Sequence, residues 1–286
     1  MNKVIKRSMV VPNMHILEIE TPEIALKVRP GQFVIVRAGD EGERIPLSVA
    51  DNDEEKGTIT IVFMEVGAST SALASLRAGD ELATCVGPLG NATAIEAYGR
   101  VMLVGGCYGI GSLYPVAREL KKKGNRITTV LEARSSYLIY WLDRYIPISE
   151  KIHTITRDGS LGLKGHINRL LDIINGMPER PDRIIVNGCT YLMAHTSEIT
   201  RDLGIPTVVN LNPIMIDGTG MCGVCRVTVA GQMKFACVDG PEFNGHDVDW
   251  NEFLARRKAY MSEETLFFRK SDAQPLHKEG KCASHE

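Results

Sequence analysis

The chain has no run of eighteen apolar residues, so no segment of it reads as a membrane-spanning helix. Its first residues, Met1-Asn2-Lys3-Val4-Ile5-Lys6-Arg7, are not followed by a long apolar core and do not read as a signal peptide. Neither sign of charge is in excess: 33 Lys and Arg stand against 35 Asp and Glu, a formal net charge of −2. That balance carries no electrostatic footprint for a nucleic acid or an anionic membrane surface as partner. No internal repeat or low-complexity tract is visible. The cysteines number seven, an odd count, and three of them crowd together near the C-terminal end. This argues against a disulfide framework and for a reducing compartment, so a cytoplasmic location is expected. What remains is an ordinary globular composition, 44% hydrophobic over 286 residues, enough for two domains with small additions.

The crowded cysteines carry the strongest signal. They lie in Asp217-Gly-Thr-Gly-Met-Cys222-Gly-Val-Cys225, followed after eleven residues by Cys237. Plant-type [2Fe–2S] ferredoxins space their ligands Cys-x4-Cys-x2-Cys with a distant fourth Cys. Here Asp217 stands in the first position. Gly218, Gly220 and Gly223 would let the loop close around a cluster and turn its N–H groups toward sulfide. Arg226–Val229 and Lys234–Cys237 read as a hairpin that returns the last ligand. The same residues could hold structural zinc, or the cysteines could be unligated core residues. Zinc sites usually pair two such units, and no second unit lies nearby. Asp217 is either a ligand or a turn residue before Gly218; Thr219, Cys189 or Cys107 could replace it if the fold brings one close.

Up to about residue 97 the chain reads as short strands: Val4–Val11, His15–Glu20, Phe33–Arg37, Pro46–Asp51, Thr58–Val66 and Glu81–Val86. Turn residues separate them and one helix, near Ser69–Leu76, interrupts them, which predicts a small antiparallel barrel. From Arg100 strands and helices alternate. Strands are expected at Arg100–Gly105, Arg126–Leu131, His153–Thr156 and Arg183–Asn187. Helices are expected at Leu113–Lys123, Ser136–Tyr145, Ile167–Asn175 and Tyr191–Leu203, so this half is a parallel α/β sheet. A charged helix over Trp250–Phe268 should follow the cysteine region, with a polar, mobile tail after it.

Two loops in the α/β half suit phosphate. Gly105, Gly106, Gly109 and Gly111 lie between a strand and a helix, where backbone N–H groups and the helix dipole favour a pyrophosphate. The spacing is not Gly-x-Gly-x-x-Gly, so the usual Rossmann fingerprint is absent. Asp158-Gly-Ser160-Leu-Gly162 follows a second strand. Two such loops at strand ends point to a nucleotide lying across the sheet edge.

These residues, taken in order, resemble the ferredoxin–NADP reductase superfamily over nearly the whole chain. Within it the resemblance is to the electron-transfer subunits of dihydroorotate dehydrogenase and, more closely, to the small subunits of NADH-dependent reduced ferredoxin:NADP oxidoreductases, also described as sulfide dehydrogenase β subunits. Arg44-Ile-Pro46-Leu47-Ser48 matches the family's Arg-x-Pro-aromatic/Leu-Ser element, which implies FAD in the barrel. Arg44 would then pair with its pyrophosphate and Ser48 with the isoalloxazine edge. Gly67-Ala-Ser69-Thr70 matches the phosphate-binding start of the barrel helix. The Gly105–Gly111 loop matches the Gly-Gly-x-x-Gly nicotinamide-nucleotide loop, and Arg134-Ser135 an Ala-Arg-Ser element. Gly188-Cys189-Thr190 stands where the family has Cys-Gly-Pro, with Cys and Gly exchanged. Thr156-Arg157-Asp158-Gly-Ser160 resembles Thr-Asp-Asp-Gly-Ser of the NAD-using branch. NAD(H) is therefore implied, while Arg157 in place of an acid would suit the 2′-phosphate of NADP(H).

The resemblance implies four parts: residues 1–97 an FAD-binding barrel, 98–210 an NAD(P)-binding α/β domain, 211–245 a [2Fe–2S] subdomain held by Asp217, Cys222, Cys225 and Cys237, and 246–286 the C-terminal helix and tail. It implies electron transfer between NAD(H), FAD and the cluster, with no acid or base residue required. A larger flavin and iron–sulfur subunit is the implied partner, with ferredoxin reached through the complex and possible electron bifurcation. The alternatives are the electron-transfer subunit of dihydroorotate dehydrogenase and a zinc-stabilised binding protein without catalytic function.

Overall fold

The computed structural model describes residues 2–259. The first six strands are β1 (Lys3–Val11), β2 (Met14–Glu20), β3 (Phe33–Arg37), β4 (Ile45–Asp53), β5 (Thr58–Met64) and β6 (Thr84–Leu89), with α1 (Pro22–Ala25) and α2 (Ala68–Ser75) between them. They pair antiparallel in the order β1-β2-β5-β4-β3-β6. The sheet closes on itself where Val4 N–H donates to Asp80 and Leu82 N–H to Asn2. Alternation explains the closure. Leu17, Ile19, Val34, Val36, Ile59, Ile61 and Phe63 all point inward and are buried with Leu73 of α2. Each such side chain contributes roughly 1.5–3 kcal/mol by leaving water.

The second sheet contains β7 (Arg100–Gly106), β8 (Arg126–Ala133), β9 (Lys151–Thr156), β10 (Leu163–Lys164), β11 (Arg183–Asn187), β12 (Thr207–Asn210) and β15 (Glu242–Asn244). Its order is β10-β9-β8-β7-β11-β12-β15, parallel except for β15. The helices are α3 (Gly109–Lys122), α4 (Leu142–Tyr145), α5 (Leu170–Asn175) and α6 (Thr190–Asp202). The order reverses between β7 and β11, which opens a crevice at their C-terminal ends. Between β12 and β15 the chain forms a hairpin, β13 (Arg226–Val229) and β14 (Gln232–Phe235). The segment that carries the cysteines is thus anchored by its own last strand to the edge of the α/β sheet. Helix α7 (Trp250–Arg257) follows, capped by Asp249, whose carboxylate accepts from Glu252 N–H at 2.9 Å.

The barrel and the α/β half share a core. Met14, Ala50 and Val62 of the barrel pack with Ile110, Leu113 and Tyr140. Asp51 pairs with Arg118 at 2.8 Å and Arg144 at 3.1 Å across the same junction.

The helix expected at Ser136–Tyr145 is not continuous. A 3₁₀ turn covers Ser136–Leu138, and Trp141 takes a left-handed φ of 56° before α4. The Tyr140 and Tyr145 hydroxyls donate to the carbonyls of Cys107 and Ile110, which ties this stretch to the start of α3 and overrides helical spacing. The helix expected at Trp250–Phe268 ends at Arg257 as far as residue 259, and its remainder, with the tail, lies outside the described residues. Within the described part α7 packs back on its own domain: Phe253 is buried and Arg256 donates to Val224 carbonyl at 3.0 Å. Among the described residues no helix is long and apolar enough to cross a membrane.

Candidate functional site

The barrel motif lies on β4 and the turn before it. Pro46, Leu47 and Ser48 are half-buried and register with Ile35, Val34 and Phe33 of β3. Arg44 precedes the strand with its side chain exposed. Across the barrel, α2 starts at Gly67. Thr70 Oγ1 accepts from the N–H groups of Val66 and Gly67 at 2.9 and 3.0 Å, and Ser71 N–H donates to Gly67 carbonyl. The first-turn N–H groups of Ala68, Ser69 and Thr70 have no partner within the helix and face an anion-favouring dipole. The loop before them is pinned by Glu65, which accepts from Ser71 Oγ and bonds buried His15 Nε2, both at 2.9 Å.

The glycine loop sits at the crevice between β7 and β11. A Cβ on Gly109 would come within 2.0 Å of Asn187 carbonyl oxygen, so only glycine lets α3 start this close to β11. On Gly111 it would meet Val62 of the barrel at 2.8 Å. Gly105 and Gly106 end β7, and Gly188 opposite them takes a φ of 155°. Tyr108 spans the crevice: its hydroxyl donates to Gly188 carbonyl at 2.7 Å and accepts from Asn212 Nδ2. Burial pushes the Tyr108 phenol well above its usual range, so it stays a donor. Cys107 and Cys189 are half-buried at the ends of these two strands. Burial, then the neighbouring Cys189, lifts the Cys107 thiol to about 11.

The ends of β8 and β9 continue this edge. Ser160 Oγ donates to Asp158 at 2.6 Å, accepts from Ser136 N–H at 2.8 Å and lies 3.2 Å from Ser135 Oγ. Hydrogen bonds from the Ser160 hydroxyl first, then the Ser135 hydroxyl and the Ser160 N–H, hold the exposed Asp158 carboxylate down to about 2. Arg134 and Arg157 are exposed, and Arg157 Nε is 3.6 Å from Glu132 Oε1.

The cysteine loop touches the barrel. A Cβ on Gly218 would meet Leu89 Cδ1 at 2.7 Å and Ile35 Cγ1 at 3.0 Å, and Asn91 N–H donates to Gly240 carbonyl at 2.7 Å. Gly218, Gly220 and Gly223 all have left-handed φ, between 68° and 84°. Cys225 and Cys237 are brought together in the interior, Sγ to Sγ 3.1 Å. Cys222 is exposed on the same loop, and the Asp217 carboxylate accepts from its N–H at 2.8 Å and from Thr219 N–H at 3.0 Å. The four groups do not converge on one point: among the described residues no three His, Cys, Asp or Glu side chains do. Cys107 and Cys189 lie at the nucleotide edge, not in this loop.

The donors nevertheless fit an iron–sulfur centre. Two thiols already meet and a third shares their loop. Burial and the Cys225 contact push the Cys237 thiol up to about 12, while Gly220 N–H opposes this by donating to its sulfur. A soft metal centre would replace those protons.

Sequence reasoning missed Tyr108, Asn187 and Glu65 as parts of these sites. Nothing in their spacing marks them, because each acts across the fold. Glu132 carries one signal, a carboxylate ending the strand beside a glycine loop.

Residues 2–93 match the oxidoreductase FAD-binding domain family, and residues 212–249 match the iron–sulfur cluster binding domain of dihydroorotate dehydrogenase B. The chain is 45% identical to a dihydroorotate dehydrogenase B (NAD(+)) electron transfer subunit homolog of Thermotoga maritima, over 94% of each chain. It is 32% identical to the electron transfer subunit of Desulforamulus reducens dihydroorotate dehydrogenase B (NAD(+)), over 87% of this chain and 97% of that one. It superposes with a TM-score of 0.90 and 43% identity on a chain of the NADH-dependent reduced ferredoxin–NADP oxidoreductase structure, solved in the context of flavin-based electron bifurcation, covering 95% and 98% of the two chains. The barrel, the switch-point crevice and the cysteine loop thus recur together in proteins of one kind, and the chain belongs to the family of dihydroorotate dehydrogenase B electron-transfer subunits and their homologues, oxidoreductases that join an FAD-binding barrel to a pyridine-nucleotide domain and an iron–sulfur domain.

Proposed function

We propose that the chain is the electron-transfer subunit of a cytoplasmic, two-subunit NAD(P)H-linked ferredoxin oxidoreductase. In this reading residues 1–97 hold FAD, 98–210 the dinucleotide, 211–245 a [2Fe–2S] cluster, and 246–286 form the C-terminal helix and tail. The observation that carries it is the seat of Gly218 on Ile35 and Leu89. Strand β3 pairs with β4 on one side and β6 on the other, so the cysteine loop rests beside the strand that carries Pro46–Ser48.

Each set of residues has a separate task. Arg44 and the start of α2 after Gly67, with the free first-turn N–H groups of Ser69 and Thr70, would neutralise the FAD pyrophosphate, while Pro46, Leu47 and Ser48 would line the flavin. The loop from Gly105 and Gly106 to Gly109 would cradle the pyrophosphate of the nicotinamide dinucleotide, and Gly111 lets α3 close against Val62 behind it. Arg134, Ser135, Arg157 and Asp158 flank its adenosine half, and Gly188 and Cys189 its nicotinamide half. Cys222, Cys225 and Cys237, with Asp217 as fourth donor, hold the iron. FAD, when bound, would supply the conversion between hydride (two-electron) transfer and single-electron transfer that neither nicotinamide nor a cluster performs alone. No side chain has to move a proton in this scheme; the residues bind, orient and exclude water. The dinucleotide would be NAD(H), and a larger flavin and iron–sulfur subunit would be the partner through which electrons reach ferredoxin, with bifurcation as named for the structure that the chain superposes on.

Anaerobic titration of the purified complex with NADH tests this. Bleaching of a flavin band, with FAD recovered on denaturation, is expected. A colourless protein that NADH leaves unchanged contradicts it. A second reading, the electron-transfer subunit of a dihydroorotate dehydrogenase, is favoured by the names of the relatives. The chain that co-purifies, and reduction of the complex by dihydroorotate, separate the two.

A further inference from the structure

Glu132 is the one carboxylate on β8, next to its C-terminal residue. It is only 7% exposed, and its Oε2 lies 3.3 Å from where a Cβ on Gly106 would stand, so it underlies the glycine loop. A carboxylate buried there alone is costly, and its charge opposes a pyrophosphate above it. The cation that answers it comes from the neighbouring strand. Arg157 follows β9, its N–H donates to Ala133 carbonyl at 3.2 Å, and its guanidinium faces Glu132 at 3.6 Å. Burial pushes the Glu132 carboxyl up, and Arg157 first, then His166, act against that.

This pair bears on which dinucleotide the edge accepts. The ends of β8 and β9 lie on the side of the crevice away from β11, where the adenosine half of a dinucleotide lies in doubly wound sheets. A 2′-phosphate on the adenosine ribose would draw the Arg157 guanidinium toward itself. That would strand Glu132 as a buried, unpaired charge. The ionised Asp158 beside Arg157 adds a second charge that a phosphate must meet. An unphosphorylated ribose makes neither demand.

We propose that Glu132 is a specificity-determining residue: by pairing with the Arg157 guanidinium at the end of β9 it withholds that cation from a 2′-phosphate, so the site selects NAD(H) over NADP(H). The inference rests on the dinucleotide reading of this edge and goes beyond it by naming what sets the choice.

Equilibrium binding of ADP-ribose and 2′-phospho-ADP-ribose to the full chain tests it, since neither probe exchanges hydride. Wild type should prefer ADP-ribose by about tenfold or more, the scale of one charge-assisted contact. Glu132→Gln should tighten the 2′-phosphorylated probe about tenfold more than it tightens ADP-ribose, whose pyrophosphate also loses the opposing charge. Glu132→Asp, which keeps the charge but shortens the reach, should shift the ratio in the same direction and serves if the glutamine variant does not fold. Adding Arg157→Ala to either should abolish the gain. An unchanged ratio in the Glu132 variants overturns the proposal. So does a wild type in which Arg157→Ala alone weakens the 2′-phosphorylated probe about tenfold, because the cation would then already reach the phosphate. Failure of wild type to bind either probe would instead remove the dinucleotide reading itself, and the inference with it.

Discussion

The Cys225 and Cys237 sulfurs lie 3.1 Å apart in the interior, although eleven residues and a hairpin separate them in the chain. The β13–β14 pairing sets Arg226 opposite Phe235, so the residues just outside that pair, Cys225 and Ala236-Cys237, meet at its open end. The hairpin thus brings together two of the four proposed ligands. Replacing either cysteine should therefore abolish cluster loading. Cys237→Ser should lose nearly all iron by elemental analysis while keeping its FAD, because neither cysteine belongs to the proposed flavin-binding motifs. Full iron loading in that variant would contradict the assignment.

Asp217 stands first in the cysteine-loop motif, where we propose it as the fourth ligand, and its carboxylate already accepts from two loop N–H groups. Asp217→Cys should retain a [2Fe–2S] centre but change its EPR g values and its reduction potential, since thiolate is a softer donor than carboxylate. An unchanged spectrum would mean that Asp217 is only a turn residue.

Arg44 is exposed and supports no part of the barrel core. Arg44→Ala should leave the fold intact and weaken FAD by roughly ten- to a hundredfold, the scale of a hydrogen bond to a charged group. Fluorescence of released flavin measures this. Unaltered affinity would move the pyrophosphate elsewhere.

Gly109→Ala would place a methyl 2.0 Å from Asn187 carbonyl oxygen. Backbone must move to admit it, at a cost of about 3 kcal/mol. A Tm several degrees lower and a loss of dinucleotide affinity are expected together.

Glu242 joins the cluster segment to the barrel by accepting from Thr93 Oγ1 at 2.5 Å. Burial raises its carboxyl above the usual value, with the Thr93 bond and then Arg183 acting the other way. A raised acid favours the folded state while protonated, and that contribution disappears as pH climbs through the folded pKa. Glu242→Gln should therefore unfold at a higher temperature than wild type near neutral pH, with the difference vanishing below about pH 4.5. A constant difference across pH would show that the carboxyl keeps its ordinary value.

Most of the architecture was legible because it rests on local pattern. Alternation in Met14–Glu20 and Thr58–Met64, and the strand–glycine–helix passage at Arg100–Lys122, announce their own geometry. Elements whose partners lie far along the chain were not. Strand β15 is three residues long and exists only because β12 offers an edge. Trp141 breaks a helical pattern because two tyrosine hydroxyls hold the flanking chain against α3. The ligand spacing of the cysteine loop could be read in one dimension. Its seat on Ile35 and Leu89, and the meeting of Glu132 with Arg157, could not, since both join residues from strands apart in sequence.

The proposed function depends on the loop from Asp217 to Cys237 carrying an electron-transferring iron–sulfur centre beside the flavin barrel. An EPR spectrum of the anaerobically purified, dithionite-reduced protein, with metal analysis of the same sample, tests it most directly. A rhombic signal from a single reduced [2Fe–2S] centre is expected, with iron matched by acid-labile sulfide. Zinc in place of iron, with no such signal, would contradict it and leave a flavin reductase with a structural metal.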